Sequence, residues 1–83
     1  MWIQRHDGSL VNIEMFHKID STKTGNGYEV YAWRDDDRSI LATYGKENQV
    51  EQAKMAIFCS MRKGDKAMTM PYISTYNTKE EQK

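Results

Sequence analysis

The chain has 83 residues, twelve of them basic and twelve acidic, for a formal net charge of zero. That length supports one small core, and the charge balance excludes a global positive field for nucleic acid or anionic lipid. One cysteine leaves no internal disulfide, and no stretch nears the ~18 consecutive apolar residues of a membrane span.

The opening MWIQRHDG has no long apolar segment of the secretory type, so the expected compartment is a reducing cytoplasm. Met1 to Arg5 reads as a first strand. His6-Asp7-Gly8-Ser9 carries an Asp-Gly turn into the apolar run at Leu10, which predicts an N-terminal hairpin. Between Leu10 and Asp20 the alternation of Val11 and Ile13 breaks at Glu14-Met15-Phe16, the mark of a bulge or a single helical turn.

Ser21 to Gly27 reads as a polar loop, and Tyr28-Glu29-Val30-Tyr31-Ala32-Trp33 is the clearest strand pattern. The charged turn Arg34 to Arg38 joins it to Ser39–Tyr44, predicting an antiparallel pair. Tyr28, Val30 and Ala32 fall on one face, as do Ile40, Ala42 and Tyr44 on the neighbouring strand, leaving Tyr31 and Trp33 on the opposite side.

Asn48 as N-cap with Glu51 three residues on predicts a helix from about Gln49 to Lys63, closed by Gly64. Val50, Ala53, Ile57 and Met61 form its core stripe at helical spacing. Lys66 to Met70 completes the chain as a short strand ending at Pro71, with residues 72–83 as a polar, flexible tail. The expectation is therefore one α+β domain over residues 1–71: a small, mainly antiparallel sheet of four to five strands packed by one C-terminal amphipathic α-helix.

Trp2, "DGSLVN", "GYEVYAW", "ILATYG", the amphipathic helix, its closing Gly and "MP" together resemble short proteins of unknown function from phages, prophages and conjugative elements of Gram-positive bacteria. The resemblance covers Trp2 to Pro71. It implies a small antiparallel sheet plus helix and a mobile-element origin, with no activity and no site residues to carry over.

Several chemistries fail on spacing. Asp35-Asp36-Asp37 lacks the central Gly and terminal Glu of a calcium loop, where Ile40 and Lys46 stand instead. His6, His17 and Cys59 match no metal or nucleophile spacing, and Gly25-Asn26-Gly27 leads into a strand rather than the helix a phosphate cradle needs. No catalytic residue, cofactor or metal ligand is expected, and the chain reads as non-catalytic.

Two surfaces remain as candidate interaction sites. On the helix, Met55 and Cys59 project away from the core stripe with Phe58 on their flank, where a purely surface helix would be polar. The alternative is that Tyr72 and Ile73 fold over them. On the sheet, Tyr31 and Trp33 beside Arg34 form an aromatic and basic face able to anchor a protein, to close as an ordinary hydrophobic mini-core, or to stack bases, in that order. The expected partner is a protein, either another chain or a second copy in a homodimer, with a nucleic acid as the competing class.

Overall fold

A computed structural model describes residues 1–72. The elements are β1 (Trp2–Gln4), β2 (Leu10–Asn12), a 3-10 turn (Ile13–Met15), β3 (Lys18–Thr24), β4 (Gly27–Arg34), β5 (Asp37–Tyr44), α1 (Glu47–Lys63) and β6 (Ala67–Thr69). They form two three-stranded sheets, ordered β2-β1-β6 and β3-β4-β5, with α1 packed on β4, β5 and β6. The α+β class is as expected. The last strand, β6, forms within the expected Lys66 to Met70, but the described strands are six in two sheets rather than four to five in one, and β6 lies parallel beside β1.

The first hairpin forms where the Asp-Gly signal places it. Arg5 and Ser9 close the turn through an N–H to carbonyl bond of 2.8 Å, and Gly8 takes φ 91°, a left-handed value that glycine adopts without a β-carbon clash. The break in the second run is the helical turn: the Asn12 side chain accepts from the Glu14 N–H at 3.1 Å, and Ile13 drops into the core.

The polar stretch after Asp20 is where the fold departs most from expectation. It continues as β3 to Thr24, and only Gly25 and Asn26 make the turn. β3 is an edge strand whose inward apolar residue is Ile19, so most of its length has no need of hydrophobic side chains.

The pairing of β4 with β5 contains a bulge between Val30 and Tyr31, so that Tyr31 opposes Ile40 while Val30 opposes Ala42. Leu41 is the extra residue. The bulge turns both Leu41 and Ala42 into the core, each at most 1% exposed, and rotates Ile40 onto the outer face with Tyr31. Ile40 therefore does not share the face of Ala42 and Tyr44, contrary to strict alternation.

α1 starts two residues before its expected first residue. Lys46 is the N-cap, and the side-chain oxygen of Gln49 reaches back to accept from the Gly45 and Lys46 N–H groups, both at 3.1 Å. Asn48 and Glu51 do not perform that role. At the other end Gly64 is left-handed as expected, with Gly64 N–H bonded to the Met61 carbonyl and Asp65 N–H to that of Ser60, a Schellman closure. The buried stripe is Val50, Ala53, Ile57 and Ser60. Ser60 replaces the expected Met61 because the 3-4-3 spacing follows the helical period to the end, leaving Met61 54% exposed.

One core joins both sheets to the helix: Ile3 and Met70 from the first, Val30, Ala32, Leu41 and Ala42 from the second, and Val50, Ala53 and Ile57 from α1. Of the expected tail, Tyr72 is described and ordered against His6, and residues 73–83 lie outside the described residues.

Candidate interaction surface

The outer face of α1 is built by the same periodicity that builds its inner one. With Val50, Ala53, Ile57 and Ser60 turned to the sheets, residues offset by about half a turn face outward. There Met55 is 58% exposed, Phe58 53%, and Cys59 is exposed as a free thiol. The Arg62 guanidinium carbon lies 5.7 Å from the Phe58 ring centroid, a cation–π contact on the same face. Met61 extends the apolar surface toward a groove of about 560 Å³ whose other wall is Met1, Trp2 and Ile13. Trp2 and Met61 were missed as surface residues because each sits in an apolar pattern whose buried member turns out to be its neighbour, Ile3 and Ser60 respectively.

Tyr72, the expected cover for this face, is engaged elsewhere. Its ring stacks on His6 at 4.3 Å between centroids, nearly parallel at 7°, and its hydroxyl donates to the His6 carbonyl at 2.7 Å. Ile73 lies outside the described residues.

The second candidate face, on β4 and β5, is covered by its own side chains. Tyr31 is only 7% exposed. Trp33 meets it edge-on at 5.8 Å, and Arg38 lies over its ring at 4.7 Å while reaching Glu29 at 4.0 Å. Trp33 is half-buried, Arg34 is exposed at the end of the strand, and Ile40 is exposed beside them. Tyr31 and Trp33 do share the face away from the helix, as alternation requires, yet the aromatic surface left open there is small. Tyr31 and Trp33 lie on this sheet face, Arg34 ends the strand on the alternate side with Ala32, and Met55, Phe58 and Cys59 lie on the helix, so the structure does not bring the six candidate residues into one site.

Neither outer edge of the second sheet offers a plain ladder. The two-residue turn at Gly25-Asn26 makes Thr24 and Gly27 a narrow pair, so Ile19, Ser21 and Lys23 direct their backbone groups outward. The Ser21 N–H is taken by its neighbour Asp20 at 2.8 Å, and that bond, more than nearby Lys18, holds the Asp20 carboxyl below its ordinary value against the opposing effect of burial. On β5, the His6 N–H bonds the Leu41 carbonyl at 2.9 Å and His6 Nδ1 accepts from the Thr43 N–H at 3.3 Å. Because Nδ1 accepts, Nε2 carries the proton and donates to the Pro71 carbonyl at 2.9 Å.

His6 is thus a tie between β1, β5 and the C-terminal segment. His17 is exposed on the lead into β3, bonded through its backbone N–H to the Trp33 carbonyl. Among the described residues no three His, Cys, Asp or Glu side chains stand close enough to hold a metal ion. Among the described residues no helix is long and apolar enough to cross a membrane.

No family model matches the chain, and the comparisons with curated proteins and with solved structures yield no match.

Proposed function

We propose that this chain is a small non-catalytic protein-interaction module that docks through the outer face of α1. The observation that carries the reading is the exposure of Met55, Phe58 and Met61, each more than half accessible on a helix whose inner face already fills the core. An apolar face of this kind costs solubility unless a partner covers it. With the mobile-element resemblance, the partner class is a host or phage protein whose surface the module occupies, such as a defence or replication component, or the chain itself.

The competing class, a nucleic-acid-binding accessory protein using the aromatic sheet face, has less support. Tyr31 is buried under Arg38, and Arg38 is partly neutralised by Glu29. Base stacking needs an open ring face and free cations beside it.

The test places a photo-crosslinking phenylalanine analogue at Phe58 in one variant and at Trp33 in another, in cells. Protein adducts from position 58, absent from position 33, are the expected result. Nucleic-acid adducts from position 33, together with salt-dependent oligonucleotide binding that Trp33→Ala with Arg34→Ala abolishes, would overturn it.

A further inference from the structure

The outer face of α1 has an internal symmetry that names its partner. Glu51, Met55, Phe58 and Arg62 recur at spacings of 4, 3 and 4, which at about 100° per residue confines them to an arc of roughly 60° opposite the buried stripe. This is the spacing of a helix–helix seam. It is also palindromic in chemistry. About the midpoint between Ala56 and Ile57, Met55 and Phe58 are equidistant, and so are Glu51 and Arg62, with opposite charges at the two ends.

A two-fold axis through that midpoint lays α1 antiparallel against α1 of a second copy. It sets Met55 against the other copy's Phe58, and Glu51 against its Arg62, and repeats both contacts by symmetry. No charged residue of the seam meets its like. Arg62 already lies over Phe58, and a guanidinium has five N–H donors, so it can meet a carboxylate while keeping that contact. Among the described residues Glu51 and Arg62 take part in none of the ion pairs within the chain. A parallel pairing would bring Glu51 to Glu51 and Arg62 to Arg62.

From this we infer that the chain forms a homodimer through an antiparallel α1–α1 seam, with Met55 and Phe58 as its apolar centre and Glu51 and Arg62 setting its direction. The inference rests on the reading of this face as a docking surface and commits that surface to a second copy.

The experiment is light scattering on the full chain over a range from ~10 µM to ~1 mM, for the parent, Glu51→Arg, Arg62→Glu and the double reversal. Each single reversal puts like charges at both ends of the seam, so dimerisation should weaken by about tenfold or more, and the double reversal should return to within about threefold of the parent. Met55→Glu should leave a folded monomer, its fold checked by circular dichroism; the three substituted positions are all exposed, so none of them fills the core.

A parent that stays monomeric to ~1 mM overturns the proposal. So does a dimer indifferent to the single reversals, or one that the double reversal fails to restore. Failure here is distinct from failure of the broader reading: a monomer that still gives adducts with other proteins from position 58 loses only the second copy as partner.

Discussion

The rings of His6 and Tyr72 stack 4.3 Å apart and within 7° of parallel, although 66 residues separate them. The stack is one part of a knot: His6 Nε2 donates to the Pro71 carbonyl, the Tyr44 hydroxyl donates to the same carbonyl at 2.7 Å, and the Tyr72 hydroxyl returns to the His6 carbonyl. Four residues from three parts of the chain thereby fix where the backbone goes after β6. They also hold Tyr72 at β5, so that among the described residues it does not cover the outer face of α1.

Replacing His6 should loosen this knot more than its partial exposure implies. His6→Phe retains a stacking ring and loses both nitrogen contacts, at a cost of roughly 1–3 kcal/mol, while Tyr72→Ala loses the stack and one hydroxyl bond at about 1–2 kcal/mol. Urea unfolding at fixed protein concentration measures both. In hydrogen exchange His6→Phe should speed the Thr43 amide, whose acceptor is gone; unchanged protection there would show that the Nδ1 contact contributes nothing.

Tyr44 makes the stability of the fold depend on pH in the alkaline range. Burial, with a smaller contribution from the neighbouring Tyr72, pushes its hydroxyl from 10.0 up to about 12. The folded chain therefore keeps a proton that the unfolded chain has released between those values. Stability from this group is complete below pH 10 and declines as pH rises toward about 12. Tyr44→Phe is expected to be less stable at neutral pH, through loss of the bond to Pro71, and to fall less steeply from pH 10 to 12. Parallel curves for the two proteins would contradict the assignment.

What the sequence discloses and conceals follows from which signals are local. The Asp-Gly turn, the β4 pattern, the helical period and Gly64 each act within a few residues, and each produced the element it predicts. β3 was concealed because an edge strand needs few apolar residues, so Ser21 to Thr24 reads as loop. The bulge at Leu41 was concealed because alternation has no memory of an inserted residue, and Ile40 moved to the other face. Parallel pairing of β1 with β6 depends on residues more than sixty positions apart. Of the candidate surfaces, Met55, Phe58 and Cys59 were legible from the helical wheel, whereas the burial of Tyr31 depends on Arg38 and Glu29 folding over it.

Gly27 is required by its neighbour as well as by its own backbone, which takes φ 156°. A β-carbon built there collides with the Tyr44 carbonyl oxygen, on the strand that β4 must pair with, whereas one at Gly25 meets nothing within 4 Å. Gly27→Ala should therefore destabilise by about 1–3 kcal/mol and Gly25→Ala by a few tenths at most, a contrast that thermal unfolding resolves. Equal effects would mean that β5 yields at Tyr44 and that the backbone at position 27 relaxes from its positive φ without cost.

The start of α1 separates two sequence signals that compete on paper. Asn48 is the better N-cap residue type, but it lies inside the first turn, and the orphan N–H groups of Gly45 and Lys46 are met by the side-chain oxygen of Gln49. Gln49 is also 95% buried, so removing its oxygen strands two donors at the junction of β5 and α1. Gln49→Ala should cost about 1–3 kcal/mol, and Gln49→Glu, which keeps the acceptor and adds a charge favoured at a helix N-terminus, should recover part of it. Asn48→Ala should lie within about 0.5 kcal/mol of the parent, as for an exposed helix position. Denaturant titrations of the three variants decide between the caps: a loss at Asn48 that matches or exceeds the loss at Gln49 would return the helix start to the position its composition suggests.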